Sequence, residues 1–245
     1  MRSAAESYFD RAISLCRRVS ETEKEHVEKA AELCAEALMK DGFLFTFGTG
    51  HSHLLAEEIF YRAGGLVRVC PIQDESLMLH LDASNSSQAE RRSGLAESLL
   101  ASIPLLKRGG VLFVFSNSGC NTVAIEMALG AKKRGLSTIC ITSLCHCEAM
   151  ISRHPEGLKL KDVCDVVIDN GGCFGDAGLE VGGVRTGPTS TAVGAMLLQA
   201  VICRTVEICQ EKEFRPEVFQ SANTPGGDEI NETYIRKYRN QIRSL

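Results

Sequence analysis

The stretch Val111-Leu112-Phe113-Val114-Phe115-Ser116-Asn117-Ser118-Gly119-Cys120-Asn121-Thr122 decides how the chain is read. Five apolar residues run without alternation, as in a strand covered on both faces. They break into hydroxyls, amides and one glycine, and a helical pattern follows at once over Thr122–Arg134. A buried strand that turns through such a loop into a helix makes an anion cradle. The unpaired N–H groups of the first helical turn and the positive end of its dipole face the loop. Ser116, Ser118, Asn121 and Thr122 add neutral side-chain donors, so a phosphate fits. No Gly-Lys-Ser/Thr closes the loop, which excludes a Walker-type site. A polar turn with a good helix cap has the same local composition, and that bland alternative stays open.

Four further apolar runs share this character: Phe43–Phe47, Leu66–Pro71, Thr138–Thr142 and Val163–Ile168. Helical segments separate most of them, including one spanning Glu90–Leu106. Strands alternating with helices predict an α/β fold with a doubly wound, five-stranded parallel sheet and right-handed crossovers. Upstream, residues 5–18 and 22–40 read as two helices, with a capping box at Ser20-Glu21-Thr22-Glu23. The polar tract Cys145–Lys161 and the glycine-rich tract Asn170–Arg185 read as loops, and an apolar helix follows over Thr189–Gln210. We expect a single domain over residues 1–245, with its core at about 40–210, N-terminal helices at 5–40 and a helical tail at 212–245.

Composition narrows the function. The chain has 245 residues, a formal net charge of −4 and no basic block, so a nucleic-acid surface is not expected. No apolar run in the sequence approaches the ~20 residues of a membrane span, and the first residues lack the apolar core of a signal peptide. A cytoplasmic protein without a membrane partner is the expectation. Eleven cysteines without regular spacing make no disulfide framework and fit a reducing compartment. Cys145-His146-Cys147, with His154 and Cys164 beyond, matches no ordinary zinc knuckle, so neither a metal nor another cofactor is expected.

A second loop follows the first strand: Gly48-Thr49-Gly50-His51-Ser52-His53. The dinucleotide pattern wants another glycine three residues after Gly50, where His53 stands, and it wants an acid near Val69-Cys70-Pro71. Two polar loops at the carboxyl ends of parallel strands still suit a ligand at a topological switch point. Together, Gly48-x-Gly-x-Ser52 and Ser116-Asn-Ser-Gly-x-Asn121 resemble the two signature loops of SIS (sugar isomerase) domains. Pro188-Thr189-Ser190-Thr191 resembles the matching helix start of arabinose-5-phosphate isomerases, and the N-terminal helices resemble those of phosphoheptose isomerases.

That resemblance implies a flavodoxin-like strand order, a homodimer or homotetramer, and a sugar phosphate bound between the loops. Ser116, Asn117, Ser118, Asn121 and Thr122 would hold the phosphate. Gly48, Thr49, Gly50, Ser52, Thr189 and Ser190 would meet the sugar. The implied activity is aldose–ketose isomerisation, in which a base moves one proton through an enediol while donors stabilise its oxygen. Glu58, His80 and His51 are the catalytic candidates, with His53 and Glu180 behind them. Glu58 and Arg62 are equally an i, i+4 surface ion pair, and His80 equally a histidine on an apolar element.

The sequence also departs from its likenesses. Arg62 stands where phosphoheptose isomerases and N-acetylmuramic-acid-6-phosphate etherases carry a glutamate. Thr189–Gln210 contains Gln199 but no histidine to complete a heptose-type zinc site. Thr224-Pro225-Gly226-Gly227 lacks the histidine of the arabinose-5-phosphate isomerase tail. These departures favour a non-catalytic phosphosugar sensor as the first alternative; a sugar-phosphate etherase or lyase is the second, and the chain departs from that type too at Arg62.

Overall fold

A computed structural model describes residues 2–245. Its centre is a five-stranded parallel sheet, β1 (Phe43–Gly48), β2 (Val69–Ile72), β3 (Gly110–Phe115), β4 (Ser137–Thr142) and β5 (Val166–Asp169), in the order β2-β1-β3-β4-β5. The parallel α/β sheet expected from the apolar runs is the one observed, in the flavodoxin-like order that the SIS resemblance implies. The first four strands are buried on both faces, while Val167 and Asp169 of β5 are half-buried, and the strand side chains divide between two core layers. Phe43, Phe45, Phe47, Leu112 and Val114 point to one layer, and Leu44, Val111, Phe113 and Phe115 to the other.

Helices cover both layers. The second layer is closed by α1 (Ala4–Thr22), α2 (Lys24–Met39), α3 (His53–Glu58) and the late apolar helix over Ser190–Glu211. The first is closed by α4 (Leu79–Ala89), α5 (Leu95–Ala101) and α6 (Thr122–Lys133). Two short helices, α7 (Leu144–Ala149) and α8 (Leu160–Val163), lie between β4 and β5. After β5 the chain forms an antiparallel hairpin, β6 (Leu179–Val181) and β7 (Val184–Thr186). It continues into α9 (Ser190–Glu211), then a tail with α10 (Gly227–Tyr238). Tyr238 packs edge-on against Phe43 at 5.9 Å, which ties the tail to the sheet.

Several local features differ from the sequence reading. The capping box forms at Ser3 and Glu6, while the Ser20 hydroxyl donates to the Arg17 carbonyl and α1 runs on to Thr22. The α1–α2 turn falls at Glu23, whose buried carboxylate accepts the Asp169 N–H at 3.0 Å, a partner far away in the chain. The helix expected over Glu90–Leu106 is broken because Gly94 adopts φ +86° and Pro104 starts a separate 3-10 turn. Of the second run only Val69–Pro71 enters the sheet, in a strand that extends to Ile72, since Leu66 and Val67 pair with the tail at Val218 and Glu217. Both expected loops contain secondary structure: α7 and α8 in one, the β6–β7 hairpin in the other.

By length and composition α9 is apolar enough to cross a membrane, with mean hydropathy 1.6 over its most apolar window, a match the sequence reading missed. Half of that window is buried, and the helix packs on α1, α2 and α3. It is the core helix of its layer.

Candidate functional site

The strand order reverses between β1 and β3, and the loops that leave these two strands stand side by side. Backbone geometry explains the composition of the first. A Cβ on Gly48 would fall 2.3 Å from the Ser52 carbonyl oxygen, so only glycine lets the chain turn back so tightly. The turn continues through Gly50 at φ +56° and a single 3-10 turn, Gly50–Ser52, into α3. The Thr49 hydroxyl donates to the Glu90 carboxylate at 2.7 Å. His51 is exposed, and His53 Nδ1 contacts the Gly50 carbonyl.

The second loop is held by its own hydroxyls and by β4 and β5. Ser116 Oγ accepts the Gly119 N–H at 3.2 Å, and Ser118 Oγ lies 3.5 Å from the Cys120 N–H. The Asn117 carbonyl accepts the Ser143 N–H and the Thr142 hydroxyl. Asn170, directly after β5, donates from Nδ2 to Asn117 Oδ1 at 2.9 Å, while its Oδ1 accepts the Gly172 N–H. Gly119 sits at φ +60° over Thr142 and Cys147, and burial pushes the Cys147 thiol up to about 12. Of the first-turn amides of α6, the Val123 N–H is taken by the Glu90 carbonyl at 3.1 Å. Asn121 makes no side-chain cap, and its Oδ1 accepts from Arg153 Nη1 instead. Thr122 is buried and donates to the Arg153 carbonyl.

Between the loops lies a polar void of about 20 Å³, lined by Ser52, Leu55, Ser116, Asn117, Asn170 and Ser190, with Ile141 and Thr191 completing the wall. That volume is about one water molecule. The start of α9 forms its far side, and a carboxylate already serves that helix end. Asp176 Oδ1 accepts the Thr189 and Ser190 N–H groups, and Asp176 Oδ2 accepts the Ser190 hydroxyl. Asp176 itself takes φ +50°, next to Gly175 at φ +75°.

The remaining sequence candidates are dispersed. Glu58 ends α3 and does not line the void, although Leu55, one turn earlier, does. Its Oε1 accepts from Arg62 Nη1 and, at 3.0 Å, from Gln199 Nε2 on α9. His80 is exposed, 6.2 Å from the His53 ring, and faces a separate groove of about 790 Å³ along β2. Glu180 is exposed on β6. Cys145 is exposed while Cys147 is buried beneath the second loop. His146 Nδ1 accepts the Gly175 N–H, and burial lowers the pKa of that imidazole. Asn170, Asp176 and Arg153 were not singled out from sequence. Asn170 appears in the sequence reading only as the first residue of the glycine-rich tract.

The comparisons with known proteins agree with this architecture. The family model described as SIS domain matches residues 7–143. A UPF0309 protein of Geobacillus sp. (strain WCH70) is 43% identical over 98% of this chain and 98% of its own. One from Listeria innocua is 40% identical over 98% and 97%. Among solved structures, the phosphoheptose isomerase GmhA of Neisseria gonorrhoeae superposes with TM-score 0.52 at 19% identity, covering 82% of this chain and 96% of that one. The Vibrio vulnificus NanR protein, complexed with ManNAc-6P, gives 0.51 at 17% identity over 94% and 67%. An isomerase fold and a ligand-binding protein of a different name thus share this architecture. On its matched residues and its full-length relatives, the chain belongs to the SIS domain family.

Proposed function

We propose that this protein binds a phosphorylated sugar between the loops after β1 and β3, and that it interconverts aldose and ketose forms. The observation that supports the binding reading most directly is convergence. Side chains from four separate segments, Ser52, Asn117, Asn170 and Ser190, line one polar void at the switch point of the sheet. Ser116 and Ser118 keep hydroxyl protons to donate, because their oxygens accept backbone N–H groups in the loop. The Asn117 and Asn121 amides and the start of α6 complete a neutral cradle for phosphate.

The void is smaller than a sugar phosphate, so its lining must open to admit one. Ser190, Thr189 and the first-loop residues Gly48, Thr49, Gly50 and Ser52 then face the sugar. In the isomerase reading Glu58 moves the proton between C1 and C2, and His51 or the first-loop amides polarise the carbonyl. Gln199 and Arg62 hold the Glu58 carboxylate in place. Phosphate anchoring supplies binding energy remote from the reacting carbons, which orients them. We place this activity in the cytoplasm, in a homodimer or homotetramer.

A second reading has its own support. Glu58 is engaged by two partners and lies outside the void, which suits a non-catalytic phosphosugar sensor. One experiment separates the two. Protein incubated in deuterated water with a panel of sugar phosphates is followed by NMR at C2 and by thermal shift. An isomerase incorporates deuterium, and Glu58→Gln abolishes incorporation while ligand still raises the melting temperature. A sensor is stabilised without exchange. A lyase releases a second product. Absence of stabilisation by every sugar phosphate refutes the binding reading itself.

A further inference from the structure

The cradle after β3 is made of uncharged groups, yet a phosphate monoester carries close to two negative charges near neutrality. The crossover between β4 and β5 brings a cation against that loop. The Arg153 N–H donates to the Cys120 carbonyl at 2.9 Å, and its carbonyl accepts the Thr122 hydroxyl at 2.9 Å. Its Nη1 donates to Asn121 Oδ1 at 2.6 Å. Three contacts to three consecutive loop residues fix the position of this arginine, although its side chain is exposed.

Its charge is unspent. Among the described residues Arg153 joins none of the ion pairs, and Asn121 is its only side-chain hydrogen-bond acceptor. Lys159, in the same crossover, gives its ammonium to the Cys147 and Glu148 carbonyls. The field of both cations reaches the loop. Burial pushes the Cys120 thiol up, Lys159 and Arg153 pull against that rise, and Asp162 acts with it. Because Arg153 occupies Asn121 Oδ1, the two donors on Asn121 Nδ2 are left to face elsewhere, with no acceptor among the described residues.

We propose that Arg153 is the charge partner of the bound phosphoryl group, making the site selective for the dianion of a phosphate ester. Its free guanidinium N–H groups meet the phosphoryl oxygens, and its grip on Asn121 directs that amide's donors to the same group. This assignment rests on the reading of the loop as a phosphate site. Arginine suits the task because its planar fork gives several donors in fixed directions at full charge.

The test is calorimetric titration with N-acetylmannosamine 6-phosphate and with inorganic phosphate, each at low and high ionic strength. The proteins are wild type, Arg153→Gln, Arg153→Lys and Ser118→Ala. Arg153→Gln is expected to weaken binding by about tenfold or more and to flatten its salt dependence. Arg153→Lys should keep the salt dependence with part of the affinity, and Ser118→Ala should lose affinity with the salt dependence intact. Arg153→Gln binding within about twofold of wild type overturns the assignment. Equal losses in both Arg153 variants, with wild-type salt dependence, also overturn it by reducing the residue to a loop brace. Wild-type protein that binds neither these probes nor any sugar phosphate of the panel refutes the phosphate-site reading and this inference with it, an outcome distinguishable because it needs no variant.

Discussion

Gly119→Ala forces a methyl group into the tightest point of the second loop, and the cost can be worked from two separate contributions. Gly119 has φ +60°, a left-handed conformation that costs an L-residue about 1–2 kcal/mol. The added Cβ would lie 3.0 Å from Cys147 Sγ, 3.1 Å from Thr142 Oγ1 and 3.5 Å from Leu160 Cβ. All three neighbours are buried, so relief requires the loop to shift, and overpacking of this kind costs about 1–3 kcal/mol. The combined loss of about 2–5 kcal/mol corresponds to a fall in melting temperature of about 4–20 °C for a chain of this size. Gly182→Ala is the matched control, with φ +58° and nothing within 4 Å of the new Cβ, so it carries the conformational contribution alone. Differential scanning calorimetry on both variants, with phosphate-ester titration of each, reads the difference. If Gly119→Ala melts no lower than Gly182→Ala, the packing argument for the loop is wrong.

Two further outcomes follow from polar groups that hold the loops. Asn170→Ala removes the bond to Asn117 and the acceptor for the Gly172 N–H in a buried setting. Denaturant unfolding should show a loss of about 1–3 kcal/mol together with weakened ligand binding. Asp165 is linked to pH. Burial favours its neutral form, but hydrogen bonds from Lys132 and from the Thr138 N–H and hydroxyl outweigh this, and its pKa in the folded protein is lowered. A carboxylate depressed on folding adds stability above its ordinary range, and that stability disappears as pH falls through the folded value. Asp165→Asn should therefore lower stability at neutral pH and narrow the gap from wild type on acidification. A gap that widens in acid contradicts this assignment.

The sheet was legible in the sequence because most of its strands are covered on both faces and read as nearly continuous apolar runs. The loops after β1 and β3 were legible because glycines and hydroxyls follow those runs directly. What escaped depends on partners distant in the chain. Nothing local at Ser20 reveals that the turn will form three residues later, where Glu23 reaches the end of β5. The i, i+4 spacing to Arg62 is visible in the sequence, yet the Glu58 carboxylate also answers to Gln199, which arrives on α9. Likewise Asp176 closes the start of α9 from within a glycine-rich tract, and Arg153 grips Asn121 from a crossover that read as an unstructured loop. Strand endings reveal where a site lies. Which polar side chains curl into it is set by tertiary folding.

The layer built from α1, α2 and α9 has a consequence for biosynthesis. Leu15, Val19, Ala30, Ala31, Cys34 and Leu38 are buried in that layer, and α9 forms much of what covers them. On the ribosome the first two helices emerge well before Ser190 is added. At roughly 5–20 residues per second, they wait on the order of ten seconds for the segment that shields them. Through that interval the nascent chain carries an oily, unfinished surface that chaperones recognise. A translation stall ahead of residue 190 would leave the sheet synthesised but open to aggregation along one side.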